Sequence, residues 1–397
     1  MVNELREQYN SNFTTEKFDA FLADLNKAYI PLQFRVAETP VFVPKTFREQ
    51  MLSACEHIID LILQPDFKER TRNAIPPGLE VKREDQFPSF ITFDFGVCIN
   101  DKNELEPQLI EMQAFPTLFG YEVTLDDTFF RHFSAPSNYS SYLSGLNRES
   151  YLELLKKIIL GNHQPENVIL LEIFPEKQKT NVDFYATQQL VGIEPVCITK
   201  IFKKDKQLFY QRNGKDIRIQ RIYNRIIFDE LLQQEQWVQD KAKFLFEDID
   251  VEWTPHPSWF YRISKYTLPL LNHPNIPSTR YLNDIDEMPA DLENYVLKPL
   301  FSFAGQGVVI DVKQQDIEEI PDPQNWILQR KVNYASVIQT PDEPAKAEIR
   351  IFYFWPEGEK RPLATNNLAR LSKGKMIGVR YNKDKTWTGG TFCLFEQ

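Results

Sequence analysis

Two β-rich runs joined by a short polar turn constrain this chain more than any other feature. Ser89–Asn100 reads SFITFDFGVCIN, Asn100-Asp-Lys-Asn is a turn-forming tetrapeptide, and Gln108–Phe115 reads QLIEMQAF. β-Branched and aromatic residues suit strands and Asn/Asp suit turns, so a hairpin is predicted. Side chains alternate along a strand, which puts Glu111 and Gln113 on one face. Cross-strand pairing can bring Asp94 alongside them. Phe93, Phe95, Leu109 and Ile110 make the setting apolar, and an acidic pair in such a setting needs a partner. Two carboxylates and an amide oxygen converging there suit Mg2+, a hard cation that takes oxygen ligands. Each acidic residue taken alone also fits a solvated strand face.

Size and charge narrow the classes. The chain has 397 residues, 46 basic and 56 acidic, a net charge of 46 − 56 = −10. Its 30 Phe, 16 Tyr and 6 Trp supply enough aromatic surface for a large core and argue against disorder. The acidic balance disfavours a broad nucleic-acid surface but not a local cationic pocket. Cys55, Cys98, Cys197 and Cys393 are scattered, with no CxxC and no His at ligand spacing, so neither a disulfide framework nor a zinc site is indicated. No apolar run approaches a membrane span and no signal peptide opens the chain, so a cytoplasmic protein without a membrane partner is expected.

Amphipathic helices are predicted at Phe18, Leu22, Leu25 and Tyr29 and at Phe47, Met51, Cys55, Ile58 and Ile62, the second stopped by Pro65. The Ser-rich stretch 134–144 is the best boundary candidate. A helix over 149–160, a buried strand over 168–173, a helix over 182–190 and a strand over 194–199 alternate in the manner of a parallel sheet. Three segments are expected: 1–140 with the helices and the acidic hairpin, 141–255 as an α/β subdomain, and 256–397, richer in turn chemistry.

In the last segment Tyr295-Val-Leu-Lys298-Pro enters a small-residue loop, Ser302-Phe303-Ala304-Gly305-Gln306-Gly307, followed by the strand Val308–Val312. This reads as a β-hairpin. Gly305 and Gly307 allow positive φ and close backbone approach, so N–H groups can face an anion while Lys298 supplies charge. A plain tight turn fits the same residues. Further strands are read at 326–332, 348–353 and 376–381. Neither a P-loop nor a Rossmann fingerprint is present, and none of His57, His132, His163, His256 and His273 lies in a nucleophile setting.

Phe93-Asp-Phe followed by Leu109-Ile-Glu-Met-Gln-Ala-Phe-Pro-Thr resembles the F-D-F and L-x-E-x-N-A-D-T-P-T pattern of the glutathionylspermidine synthase family. Pro257-Ser-Trp, Ser264-Lys-Tyr-Thr-Leu-Pro-Leu-Leu, Leu297-Lys-Pro-Leu and Gly378-Val-Arg380-Tyr resemble later elements in the same order. The resemblance runs from about residue 88 to 385. It implies an α/β (α+β) ATP-grasp-like fold in permuted order, with a small Rossmann-like subdomain. It further implies ATP and Mg2+ as cofactors. Asp94, Glu111 and Gln113 would hold the metal, and Lys265 and Lys298 the ATP phosphates. Residues 302–307 would cover those phosphates, Gln329, Lys331 and Val332 would form the adenine-binding hinge, and Arg380 would face the transferred phosphoryl group.

Departures are visible. Gln113 stands for the family's Asn, Thr92 for an Arg, and Ser302-Phe303 for Gly-Arg, and a synthetase unit without the amidase domain of some members is expected. The implied activity is ligation of a peptide-like or small-molecule carboxylate to an amine through an acyl phosphate, with these small molecules as partners and neither nucleic acid nor membrane. A catalytically inactive nucleotide-binding scaffold and a phosphotransferase are the alternatives. Glu122, Asp126 and Asp127 could form acidic walls for a polyamine.

Overall fold

The computed structural model describes residues 1–301, 307–374, 377 and 382–397. The expected loop residues Ser302, Phe303, Ala304, Gly305 and Gln306, and Arg380 with most of the strand expected over 376–381, lie outside them. The chain is a mixed α/β structure whose largest sheet is antiparallel, in the order Gly389–Thr391, Leu363–Ser372, Lys346–Phe354, Phe90–Ile99, Leu105–Gln113. The acidic hairpin thus forms as expected, with Asn103 at φ +62° in its turn. The strand that adds to it comes from about 250 residues later in the chain, pairing Asp94 with Arg350 and Ile91 with Tyr353.

Alternation along these strands sorts the sheet into two unlike faces. Phe93, Phe95, Ile349, Ile351, Tyr353, Ala369 and Leu371 enter one large core, which the helix Lys45–Ile62 covers with Phe47, Met51, Cys55, Ile58 and Ile62. These helix positions recur every three or four residues, the spacing of one helical face. Burying each such side chain stabilises by roughly 1.5–3 kcal/mol. The other face carries Asp94, Glu111, Glu348, Arg350 and Arg370, whose charges must be matched there because apolar packing cannot satisfy them.

A second sheet, Glu252–Thr254, Arg221–Asn224, Val168–Glu172, Glu194–Cys197, is parallel throughout. Val168–Glu172 reads VILLE and is buried at every position, as expected for a strand covered on both faces. The helix Asn181–Val191 makes the crossover between two of its strands. The preceding helix, Arg148–Leu160, is started by reciprocal hydrogen bonds between Asn147 and Ser150 and ends at Gly161, φ +56°. The stretch 134–144 contains the short strand Tyr139–Ser140, which pairs with Cys393–Glu396.

The third sheet, Thr279–Tyr281, Trp326–Arg330, Tyr295–Pro299, Val309–Ile310, contains the expected hairpin, with Val296 opposite Ile310 and Leu297 opposite Val309. Leu297 and Leu328 pack into a small cluster of their own, whereas Ile327 on the opposite face joins the main core. Lys298 and Gln329 share that face with Ile327, so they are turned toward the acidic hairpin. Sequence reading missed the helix Phe119–His132 and the small antiparallel sheet Phe202–Lys204, Gln207–Arg212, Lys215–Ile219. Among the described residues no helix is long and apolar enough to cross a membrane.

The helix Phe119–His132 carries the acidic residues read as pocket walls, and here the structure corrects the expectation. Glu122 and Asp126 are 1% and 8% exposed, enclosed with an aromatic cluster, and Asp127 pairs with Arg148 at 2.7 Å. Neither oxygen of Glu122 finds a hydrogen-bond partner. Burial, with repulsion from Asp183 and Asp126, pushes Glu122 well above the carboxylate range. Burial also lifts Asp126 and Asp183 to about 6 and Glu172 to about 8. The folded chain therefore binds these protons at pH values where the unfolded chain has released them. Stability falls as pH rises from the unfolded carboxylate pKa of about 4 to the raised values. Thermal melts are expected to show a lower midpoint at pH 8 than at pH 5. Glu122→Gln is expected to add about 1–3 kcal/mol at pH 8 and to flatten that slope. A variant less stable than the parent at pH 8 would contradict this.

Candidate functional site

The polar face of the antiparallel sheet and the inward face of the Lys298 hairpin meet in one charged cluster. Asp94, 2% exposed, is gripped by two arginines, one from each of the next two strands of the sheet. Arg350 donates from Nε to Oδ1 at 2.5 Å and from Nη2 to Oδ2 at 2.6 Å, and Arg370 donates from Nη2 to Oδ2 at 2.9 Å. The same Arg370 nitrogen reaches Glu348, whose other oxygen accepts from the Tyr334 hydroxyl at 3.0 Å. Gly96 lies opposite Glu348 and makes room for that ring, since a Cβ there would stand 2.8 Å from Tyr334 Cε1. Burial alone would push Asp94 upward, but the two guanidinium groups override it and hold Asp94 below the usual carboxylate range. Arg350 also approaches Thr117 Oγ1 at 3.3 Å.

Glu111 sits opposite Asp94 across the hairpin, and a register irregularity follows immediately after that pair. It is the shared countercharge of the site, acting on Lys265, Lys298 and Arg370. Lys298 donates to Gln329 Oε1 at 2.6 Å and lies 3.4 Å from the Ile110 carbonyl. Gln329, 2% exposed, is fixed in turn by donating to Thr279 Oγ1 at 2.9 Å. Burial, reinforced by the neighbouring Lys265, depresses Lys298 to about 8, although Glu111 pulls it the other way. Lys265 is 8% exposed and depressed by burial, with Glu111 and Asp229 opposing.

Lys265 owes its place to a local anchor. It opens the turn Lys265–Leu270, where Ser264 Oγ accepts from Tyr266 N at 3.2 Å. Just before it, buried Arg262 makes a two-pronged pair with Glu84 at 2.8 and 3.0 Å, and Trp259 Nε1 donates to Asp85 at 2.6 Å. This ties the Pro257-Ser-Trp segment to the loop before the acidic hairpin.

The structure thus brings Asp94, Glu111, Lys265, Lys298 and Gln329 together from four separate stretches of chain. Gln113 lies two residues from Glu111, half-buried and opposite Thr92. Gly307 has φ +73°, as a hairpin glycine should, and a Cβ there would stand 3.0 Å from Pro299 Cγ. Lys331 follows the third sheet's strand and pairs with Asp311 at 2.5 Å, while Val332 is half-buried. Gln329 is flanked by strands on both sides and spends its amide on Lys298 and Thr279. Lys331 and Val332 follow the end of that strand.

The geometry fits an anion better than the expected three-ligand Mg2+ site. Both Asp94 oxygens are already held by guanidinium groups. Two buried lysines are each depressed by desolvation, a cost that an anion beside them would offset. Sequence reading missed Arg350, Arg370, Glu348 and Tyr334. The alternation Glu348-Ile-Arg350-Ile carried a signal, because it places both charges on one strand face.

No protein-family profile matches the chain, and no curated protein does. Among solved structures, the apo form of a glutathione synthetase-like effector (GSS30) from Globodera pallida superposes with a TM-score of 0.59 over 96% of each chain, at 11% identity. The fold is glutathione synthetase-like. The likeness is one of fold, agrees with the ATP-grasp-like α/β architecture expected from the sequence, and does not single out the glutathionylspermidine synthases.

Proposed function

We propose that this chain is an ATP-dependent ligase that joins a carboxylate to an amine. The observation that carries the reading is the convergence of Lys265 and Lys298 on Glu111 within a glutathione synthetase-like fold. The lysines hold the triphosphate and offset charge as it moves onto the leaving ADP. A carboxylate oxygen of the substrate attacks the γ-phosphorus, and the bond to the β-phosphate oxygen breaks to release ADP. The amine nitrogen then attacks the acyl-phosphate carbon, phosphate leaves with the C–O electron pair, and the nitrogen loses a proton. The substrate carboxylate is itself the nucleophile, so no Ser, Cys or His is needed, and positioning with electrostatics supplies the acceleration.

The arginine grip on Asp94 favours a second reading, a protein that binds the nucleotide without ligating. Phosphate release measured with ATP across pooled amines and carboxylates separates the two. The ligase releases phosphate and forms a product lighter than its combined parts by one water. A product heavier by a phosphoryl group identifies phosphotransfer, and ATP binding without phosphate release in any pool supports the non-ligating reading.

A further inference from the structure

We propose that Asp94 is a positioning residue whose role is to fix Arg350 and Arg370, and that Arg370 presents an oxyanion receptor at a place where a divalent cation was expected. Three observations carry this. The Arg350–Asp94 contact is a planar fork, Nε and Nη2 to the two carboxylate oxygens at 2.5 and 2.6 Å, the arrangement in which a guanidinium is most rigidly oriented. Arg370 meets both Asp94 and Glu348 through the single nitrogen Nη2. Its side chain is 40% exposed, on a base that two buried carboxylates hold still.

Glu348 is steadied in turn by Tyr334, over the gap left by Gly96. Such a chain of contacts is more than neutralising Asp94 requires, because Arg350 already occupies both of its oxygens. It orients Arg370 toward the region shared with Glu111, Lys298 and Lys265. The ligand class is a terminal oxyanion, a phosphoryl group or a carboxylate. This half of the inference rests on the nucleotide reading above; the role of Asp94 does not.

Two titrations test it. In the first, Mn2+ binding to the wild type, Asp94→Asn and Glu111→Gln is followed by electron paramagnetic resonance of the free ion. Mn2+ affinity within twofold between wild type and Asp94→Asn, including no binding by either, is the expected result. A tenfold or greater weakening in Asp94→Asn overturns the positioning role. Should Asp94→Asn not fold, Arg350→Lys replaces it. If a cation sits on Asp94, loss of the competing fork strengthens Mn2+ binding tenfold or more and overturns the role, whereas affinity within twofold supports it.

In the second, ATP and ADP affinities are measured in EDTA for the wild type, Arg370→Gln, Arg370→Lys and Lys298→Met, with circular dichroism melts confirming the fold. Arg370→Gln is expected to weaken ATP about tenfold, with ADP within twofold if the γ-phosphoryl group is the oxyanion. Arg370→Lys recovers only part of the loss, because a point charge lacks the planar fork. If ATP is unchanged, carboxylate KM in the pooled assay decides, and a tenfold rise in Arg370→Gln identifies a carboxylate. No change in either measurement overturns the receptor. Loss of ATP binding in Lys298→Met with none in Arg370→Gln and no KM change leaves the nucleotide reading standing and sinks the receptor alone. A wild type that binds no ATP sinks both.

Discussion

Asp94→Ala is expected to cost about 3–5 kcal/mol of folding stability, because it removes the partner of a buried charge pair and leaves guanidinium charge uncompensated. The side chain is 2% exposed and holds Arg350 through both oxygens and Arg370 through one. A carboxylate kept apart for a cation predicts the opposite sign. In metal-free buffer such a group only repels the nearby Glu111 and Glu348, so deleting it stabilises. Urea denaturation in EDTA distinguishes the two without any ligand. Arg350→Ala is expected to be similarly costly, and a double-mutant cycle between the two should show strong coupling, since each single change already breaks the same fork.

Lys298→Met is expected to weaken ATP binding about a hundredfold, equivalent to about 2.7 kcal/mol. Methionine keeps most of the volume of the stem and removes the charge, so the fold should persist. The pH dependence carries its own sign. Lys298 is depressed to about 8, so near pH 8 roughly half of the unliganded protein carries a neutral amine there. Polyphosphate selects the ammonium form and raises its pKa, so binding near pH 8 takes up about half a proton per site. Apparent affinity then falls as pH rises beyond about 8, by at most about tenfold per unit. Calorimetry in buffers of different ionisation enthalpy measures the uptake directly, and in Lys298→Met this uptake should vanish.

Much of the architecture was legible because it is written locally. The heptad-like spacing of Phe47, Met51, Cys55, Ile58 and Ile62 required a helix with one buried face, and the apolar run at 168–171 required a strand covered on both sides. The turn Asn100–Asn103 and the alternation around Asp94 and Glu111 gave the acidic hairpin and its register. What could not be read was the company Asp94 keeps. Its partners lie 256 and 276 residues away, and no local pattern states which distant strand will add to a sheet edge. An acidic residue in an apolar strand announces only that something cationic must meet it. The cations that meet it in the fold are Arg350 and Arg370. The same blindness misplaced Glu122 and Asp126: three acidic residues within six positions look like a solvated or ligand-facing run, and only the packing of the helix Phe119–His132 shows two of them enclosed.

A crystal structure with a non-hydrolysable ATP analogue tests the central claim most directly. The expected result is a polyphosphate within hydrogen-bond distance of Lys298 Nζ and Lys265 Nζ, with the Arg350–Asp94 fork intact. A polyphosphate bound away from both lysines, or Asp94 released from Arg350 and ligating a cation, would contradict it.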